Sequence, residues 1–347
     1  MTEVCPSNLA NKRRREYVNM KNISIIGSGS WGVALGIHLA KLGHNIKIWS
    51  FKKEEADMIN NEKKCMFLPK AKIPDNIICT TDFKEAIEGT EMILIVTPSK
   101  AVRTTISQFK EFVTNQQIII CSKGFEKGTL YTLNEILEEE LPNAKIGGLS
   151  GPSHAEEVSI GIPTALVIAS KHKEVLENVQ DTFMSDTLRI YTSSDLKGAE
   201  LGGALKNIIA FCAGTITGLE LGDNTFAALL TRGLSEMAKL TIKMGADPKT
   251  IYGLTGLGDL IVTCLSNHSR NRRAGILIGQ GKSIEEAKKE IGMTIEAIDN
   301  IEIAYELSKK YDVEMPIVNS IYNILYNNLD PREAVSKLMT RDGKQED

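Results

Sequence analysis

The segment Gly27 to Gly32, GSGSWG, has the G-x-G-x-x-G spacing of a turn that binds the pyrophosphate of a dinucleotide. It follows a short apolar run, Ile23 to Ile26, and opens an amphipathic stretch, Trp31 to Leu42. The motif therefore lies between a predicted strand and a predicted helix, whose N-terminus would stabilise the phosphate charge. A glycine turn that only packs a helix on a strand is the alternative, and the flanking pattern favours the dinucleotide site, with Gly27, Gly29 and Gly32 as cofactor residues.

Lys206 is the second group that could do chemistry. It lies inside Gly198 to Leu221, a segment that is apolar on nearly every face and is therefore expected to form a buried helix. Burial lowers the pKa of an ammonium group, so such a lysine either pairs with a carboxylate or acts as a general acid and base. Because Gly202, Gly203 and Asn207 adjoin it and a dinucleotide motif lies upstream, we favour the catalytic interpretation.

Three further segments have the composition of a site for a small anion. They are Ser122-Lys123-Gly124, Ser150 to Ala155 and Ser269 to Arg273. The first two each follow a predicted strand, where ligands of open parallel sheets bind, and the third concentrates guanidinium groups suited to phosphate. Each alone is more often a solvated surface. Together with Gly256 to Asp259, which could bring a carboxylate next to Lys206, they form a coherent set.

The choice between NAD and NADP is usually decided at the end of the second strand, where an acid binds the ribose 2′-hydroxyl of NAD. Here that strand ends in Ser50-Phe51-Lys52-Lys53, with no acid at that point. Lys52 or Lys53 could face a 2′-phosphate, which favours tolerance of or preference for NADP. The alternative is that the two lysines simply solvate the start of a helix.

The elements that must position these groups follow from the hydrophobic periodicity. After the first strand, helix and strand, further apolar runs at Met92 to Val96, Gln117 to Cys121, Lys145 to Leu149 and Ala165 to Ala169 alternate with several helical stretches. From Asp195 onward the pattern is helical. We therefore predict an α/β protein with a Rossmann-type doubly wound domain at residues 20–193 and an all-α substrate domain at residues 194–347. Residues 1–19 are expected to be a disordered tail.

Composition limits the classes of partner. The 347 residues carry a formal net charge of -3, which gives no broad basic field for nucleic acid or a membrane surface, and no apolar run is long enough to span a bilayer. Six scattered cysteines without a C-x-x-C pair suggest a reduced, cytoplasmic protein, and no His/Cys cluster predicts a metal site. A small-molecule substrate is the expected partner, and apolar helical surface would permit a homodimer.

Nine segments resemble, in order, the blocks of the bacterial NAD(P)-dependent glycerol-3-phosphate dehydrogenases, over about Lys21 to Met339: GSGSWGVAL, VTPSKAVR, CSKGFEKGT, LSGPSHAEEV, LGGALKNIIAFCAG, LLTRGLSEM, GLTGLGDLIVTC, SNHSRNRRAG and VEMPIV. The resemblance implies interconversion of sn-glycerol 3-phosphate and dihydroxyacetone phosphate, which supplies glycerophospholipid synthesis. Lys206 would accept the proton on oxidation and donate it on reduction. The implied cofactor contacts are Ser30, Trp31, Lys123, Ala155, Arg270 and Glu296, and the implied substrate contacts are Lys123, Gly151, Ser153, Lys206, Asp259, Ser269, Arg270 and Asn271.

The map implied by the resemblance agrees with a physical division of labour. Arg270 would neutralise the substrate phosphate, Lys123 would add positive charge, and Asp259 would hold Lys206 in place. Phe51 departs from the family pattern, which often has a polar or basic ribose contact at this position, so Lys52 is a candidate substitute. The departure leaves NAD and NADP both open.

Two other functions compete. A hydroxy-acid or sugar-acid dehydrogenase of the same two-domain architecture also uses a lysine, and the discriminator is the SRNRR segment together with GLGDL. A non-catalytic nucleotide sensor would be expected to lack Lys206 or Lys123, and both are present.

Overall fold

The computed structural model describes residues 20–343 and 345–346, so the predicted tail at residues 1–19 lies outside the described residues. Eight strands form one sheet, and in chain order they are β1 (Asn22–Ile26), β2 (Asn45–Trp49), β3 (Ile77–Thr80), β4 (Met92–Ile95), β5 (Gln117–Ile120), β6 (Lys145–Ser150), β7 (Thr164–Ala169) and β8 (Leu188–Ser193). The sequence analysis missed β3, a four-residue strand at the sheet edge that buries only one face.

The helices alternate with the strands and then continue alone. In chain order they are α1 (Ser30–Lys41), α2 (Lys53–Asp57), α3 (Phe83–Ile87), α4 (Val102–Phe109), α5 (Leu133–Glu140), α6 (Ala155–Ile160), α7 (Lys173–Phe183), α8 (Leu196–Gly218), α9 (Gly222–Lys243), α10 (Pro248–Ile251), α11 (Asp259–Leu265), α12 (Arg270–Gly279), α13 (Ile284–Ile291), α14 (Glu296–Lys310), α15 (Pro316–Tyr326) and α16 (Pro331–Met339). Two π-helical turns, Met58–Glu62 and Leu254–Gly258, and two short 3₁₀ turns, Ser99–Ala101 and Lys110–Phe112, complete the set.

The spatial order of the strands is β3-β2-β1-β4-β5-β6-β7-β8. The first six strands in this order pair in parallel, whereas β7 is antiparallel to β6 and parallel to β8. The chain order reverses between β1 and β4. Such a switch point opens a crevice at the carboxyl ends of the strands, where ligands of doubly wound sheets bind.

Helices cover both faces of the sheet. Successive side chains of each strand point to opposite faces, so a strand with a continuous apolar run places apolar residues on both of them. On β4, Met92 and Leu94 join the hydrophobic cluster on one face, and Ile93 and Ile95 join the cluster on the other. All four residues are fully buried. The predicted doubly wound fold class is therefore confirmed.

After Ser193 the described residues form helices and turns without a further strand. α8 begins at Leu196, with the Asp195 carboxylate accepting a hydrogen bond from the Gly198 N–H at 2.9 Å. This is where the sequence analysis expected a helix to start, whereas the division into two domains there stays a prediction. None of the described helices is long and apolar enough to cross a membrane.

α8 is the central helix of this part and is buried along most of its length. It crosses α12 at very short range, since a Cβ added at Gly275 would lie 1.9 Å from the Phe211 carbonyl oxygen, and one added at Gly214 would lie 2.0 Å from that of Arg272. These glycines allow the two backbones to touch. The contact fixes the start of α12, which carries Arg270, relative to Lys206 on α8.

Candidate active site

A cleft of about 570 Å³ opens at the carboxyl ends of β1, β2, β4 and β5 and is bounded on its other side by residues of the helical region. It lies at the switch point between β1 and β4. The predicted site residues that line it are Gly27, Gly29, Ser30, Trp31, Phe51, Lys52, Lys123, Ser153, Ala155, Lys206, Asp259, Ser269, Arg270, Asn271 and Glu296. Two predicted residues, Gly32 and Gly151, are not among the lining residues.

The glycine turn fits a dinucleotide pyrophosphate. Gly27 has a φ of 128°, and an added Cβ would lie 2.9 Å from the Val96 carbonyl oxygen, so only glycine suits this position. A Cβ added at Gly29 would lie in open space, which leaves its backbone accessible at the start of α1. A Cβ at Gly32 would lie 2.0 Å from the Gly27 carbonyl oxygen. Gly32 therefore allows α1 to pack closely on the turn and does not itself face the cleft.

Asp259 lies between two lysines at the base of the cleft. The Nζ of Lys206 donates to Asp259 Oδ1 at 2.9 Å, and the Nζ of Lys123 donates to Asp259 Oδ2 at 2.5 Å. The side chains of Lys206 and Asp259 are 8% and 2% exposed, against 17% for Lys123. The structure thus brings together one carboxylate and two ammonium groups from α11, α8 and the end of β5.

Burial and charge set the protonation of this cluster. Burial lowers the pKa of Lys206, and the nearby charge of Lys123 lowers it further, while Asp259 opposes both effects. For Asp259, burial pushes the pKa up, but the charges and hydrogen bonds of Lys123 and Lys206 together hold it below its ordinary value. Asp259 is therefore ionised, and Lys206 gives up its proton more easily than a lysine in water.

Thr263, which was not singled out in the sequence, completes the environment of Lys206. Its hydroxyl accepts from Lys206 Nζ at 2.7 Å and donates to the Asp259 backbone carbonyl at 2.6 Å. Two of the three hydrogens of the Lys206 ammonium are thereby used, and one remains for a ligand. A threonine four residues after an aspartate lies on the same face of a helix, and this spacing could have identified it.

Arg270 begins α12, and no acidic side chain of the described residues forms an ion pair with it. The Ser269 hydroxyl accepts from the Arg272 N–H at 3.2 Å and so caps the same helix. A helix N-terminus with an unpaired guanidinium attracts a phosphate group. Nearby, Asn271 Oδ1 accepts from the Ala297 N–H at 3.0 Å, which fixes α12 against α14.

Three other predicted residues, from separate segments, lie around the cleft. The carbonyl of Gly151 accepts hydrogen bonds from Lys123 Nζ at 3.3 Å and from the Ser153 hydroxyl at 3.1 Å, so Gly151 acts through its backbone behind the cleft wall. Glu296, the first residue of α14, accepts from the Asn207 amide at 2.9 Å. Ala155 begins α6 at the cleft wall and is 7% exposed.

Two histidines in the cleft were also missed. The rings of His154 and His268 lie 5.8 Å apart, and the buried Nε2 of His154 has no hydrogen-bond partner. Burial and the charge of Lys206 lower the pKa of His154, so the neutral ring is favoured there. In the sequence, His154 was noted only as part of the segment Ser150 to Ala155, a candidate site for a small anion. Among the residues that the structure describes, no group of three or more His, Cys, Asp or Glu side chains could hold a metal ion.

At the end of β2, Phe51 is 83% exposed and Lys52 lies at the cleft rim. The sequence analysis found no acid at this strand end, but Glu55, in the first turn of α2, lines the cleft. Its carboxylate accepts from the Ser28 hydroxyl at 2.7 Å and lies 3.6 Å from the Lys52 ammonium. A helical turn returns this side chain to the strand end, which a search of the strand residues alone does not detect.

Comparison with known proteins identifies the family. The family models described as the N-terminus and C-terminus of NAD-dependent glycerol-3-phosphate dehydrogenase match residues 22–176 and 195–336. The chain is similar to a glycerol-3-phosphate dehydrogenase [NAD(P)+] of Fusobacterium nucleatum, at 49% identity over 94% of this chain and 99% of the relative. It is 50% identical to one of Thermoanaerobacter sp., over 93% and 98% of the two chains.

Among solved structures, the crystal structure of glycerol-3-phosphate dehydrogenase from Coxiella burnetii is similar over 93% of this chain and 99% of that chain, at 37% identity and a TM-score of 0.90. The two family models together cover the glycine turn, the lysine cluster and the start of α12. The chain therefore belongs to the NAD-dependent glycerol-3-phosphate dehydrogenase family.

Proposed function

We propose that this chain reversibly transfers hydride between sn-glycerol 3-phosphate and dihydroxyacetone phosphate, with NAD(H) or NADP(H) as cofactor. Family membership and the names of the curated relatives support this function. The observation that carries this proposal is that Lys206 and Lys123 both form ion pairs with Asp259, at the base of a cleft that begins at the glycine turn. In the cell this activity would supply glycerol 3-phosphate for glycerophospholipid synthesis.

The bound nicotinamide supplies the hydride chemistry. Lys206 manages the proton that must move with the hydride. In the oxidative direction its neutral amine accepts the proton of the C2 hydroxyl, and in the reductive direction its ammonium donates a proton to the ketone oxygen. The lowered pKa of Lys206 makes the neutral amine accessible. Because Asp259 and Thr263 hold two of its hydrogens, the remaining hydrogen has a defined direction.

The phosphate of the substrate would bind at the start of α12. Arg270 supplies an unpaired positive charge, and Ser269 and Asn271 flank it at the helix N-terminus. This part of the substrate does not react, so its binding energy serves to orient C2 toward Lys206. Lys123, which shares Asp259 with Lys206, adds positive charge next to the oxygen on which negative charge develops.

The test is the loss of reduced-nicotinamide absorbance with dihydroxyacetone phosphate for wild type, Lys206→Ala and the control Lys243→Ala, an exposed lysine at the end of α9. We expect turnover in wild type and control, and a loss of at least about a hundredfold in kcat for Lys206→Ala with cofactor still bound, as for removal of a general acid. No turnover by folded wild type that binds the cofactor would refute the substrate assignment.

A hydroxy-acid or sugar-acid dehydrogenase is the alternative, and the similarity to known proteins does not favour it. Arg270, unpaired at a helix N-terminus, favours a phosphorylated substrate over a plain hydroxy acid. Competition by inorganic phosphate against dihydroxyacetone phosphate would separate the proposed function from that of a dehydrogenase for a plain, unphosphorylated hydroxy acid. Turnover of 3-hydroxyisobutyrate or 6-phosphogluconate at a higher kcat/KM would favour the alternative.

We also propose two domains, residues 20–193 and 194–347, because the last strand ends at Ser193 and α8 begins at Leu196. A cytoplasmic location is supported by five free, buried cysteines among the described residues.

A homodimer is proposed through the helical region, where Leu338 and the 79% exposed Met339 border an apolar groove. Light scattering that gives a monomer mass at micromolar concentration would refute the dimer.

A further inference from the structure

Glu55 lies in the cleft close to the strand end from which cofactor choice is made in dinucleotide folds. It lines the cleft beside Ser28, Lys52 and Phe51, where the end of β2 approaches the glycine turn. In this fold, the side chain at the end of the second strand meets the ribose of the adenosine half of the cofactor. Glu55 comes from α2 instead of the strand, but its carboxylate reaches the same corner of the cleft.

Hydrogen bonds fix the Glu55 carboxylate on the glycine turn. The Ser28 hydroxyl donates to it at 2.7 Å, and the hydroxyl of Ser50 lies 2.7 Å from that of Ser28. Ser28 is 6% exposed and Ser50 is fully buried, so this pair forms a rigid base. The Glu55 side chain is only 18% exposed, and it therefore cannot easily rotate away into solvent.

The charges at this corner distinguish the two cofactors. A carboxylate accepts hydrogen bonds from ribose hydroxyls, whereas it repels a 2′-phosphate. Lys52 is the nearby cation that could compensate, but its ammonium lies 3.6 Å from Glu55 and its side chain is 62% exposed. Its charge is partly neutralised by the same carboxylate that would repel the phosphate. The charges of Glu55 and Lys52 together therefore disfavour binding of NADP, although the two lysines at the strand end, taken from the sequence alone, favour it.

We propose that Glu55 is a specificity-determining residue that selects NAD(H) over NADP(H), with Ser28 as its positioning residue. The inference rests on the proposed function only in that the cleft binds a nicotinamide dinucleotide. It depends on neither the substrate nor Lys206. We expect wild type to bind NADH more tightly than NADPH by at least about tenfold, the size of a like-charge repulsion at a partly exposed site.

The experiment measures the Kd of NADH and NADPH by nicotinamide fluorescence, without substrate, for wild type, Glu55→Gln and Glu54→Gln. Glu55→Gln keeps the size of the side chain and removes its charge, so the NADH/NADPH preference should fall by at least about tenfold, mainly through tighter NADPH binding. Glu54 is exposed on the same helix and does not line the cleft, so its variant should keep the wild-type ratio.

A double variant, Glu55→Gln with Lys52→Ala, tests whether Lys52 contributes to NADPH binding once it no longer pairs with Glu55. If Glu55→Gln gains NADPH affinity because Lys52 becomes available, the double variant should lose most of that gain. Preference of wild type for NADPH, or an equal change of both Kd values in Glu55→Gln, would overturn the inference. A correct cofactor ratio without turnover of dihydroxyacetone phosphate would leave Glu55 as the selector and refute only the substrate. Binding of neither cofactor would refute both.

Discussion

Replacing Asp259 with asparagine removes the carboxylate that Lys206 and Lys123 share. The two ammonium groups contact it at 2.9 Å and 2.5 Å, and the Asp259 side chain is 2% exposed. Breaking a buried ion pair by removing one partner costs about 3–5 kcal/mol, because the remaining charge stays buried without compensation. We expect the free energy of unfolding in urea at pH 7 to fall by about this amount.

The same substitution should move the pH profile. Asp259 raises the pKa of Lys206 against burial and the charge of Lys123, so its loss lowers that pKa further. Reduction of dihydroxyacetone phosphate needs the ammonium form, so its alkaline limb should move to lower pH, and activity should recover as the pH falls.

The assay is kcat for reduction, measured from about pH 5.5 to about pH 9 so that a displaced alkaline limb can be seen. Glu285→Gln, an exposed acid on α13 that lies outside the cleft, is the matched control and should keep the wild-type profile. If kcat of Asp259→Asn falls by the same factor at every pH, the carboxylate has only a structural role. The account of Lys206 as a proton carrier tuned by Asp259 would then be wrong.

Two further predictions concern Glu200, a half-buried acid on α8, and Gly275, which packs against α8. Burial raises the pKa of Glu200 to about 8, although the Asn134 N–H donates to its carboxylate at 2.9 Å, so folding disfavours its ionised form and stability is lost as pH rises from about 4.5 through 8. Urea unfolding should show Glu200→Gln gaining on wild type over this window, by an amount on the order of 5 kcal/mol, and parallel curves would contradict this. Gly275→Ala should destabilise by about 1–3 kcal/mol and raise the KM for dihydroxyacetone phosphate, because its Cβ would meet Phe211 and displace α12. The control Gly343→Ala, with open space around its Cβ, should match wild type in both measurements.

Much of the sheet could be predicted from the sequence, because a buried parallel strand is a short, continuous apolar run. Ile118 to Ile120 and Met92 to Ile95 are such runs, and both are strands. β3 was not predicted because it is only four residues long and lies at the sheet edge, where Ile78 is 56% exposed and only one face is buried. The antiparallel direction of β7 also escaped, since an apolar run has no direction until its connections are known.

The candidate site, like the sheet, could be predicted from the sequence only in part. The role proposed for Lys206 follows from an ammonium inside an apolar helix, and a carboxylate partner at Asp259 could be expected. The contact of Asp259 with Lys123 across 136 residues could not, because it depends on how the end of β5 meets α11. The place of Glu55 in the cleft could not be predicted either, because it depends on how α2 packs against the glycine turn.

The sequence by itself determined the strand, glycine turn and helix of the dinucleotide motif, the helical character of the chain after Ser193 and the presence of a lysine where apolar burial would lower its pKa. These features depend on backbone preference and on periodicity, which act within a few residues. Only the tertiary structure decided which charges contact Asp259 and which acid lies beside the glycine turn. Charge balance in a buried site depends on distances between segments far apart in the chain, and those distances exist only after the helices have packed.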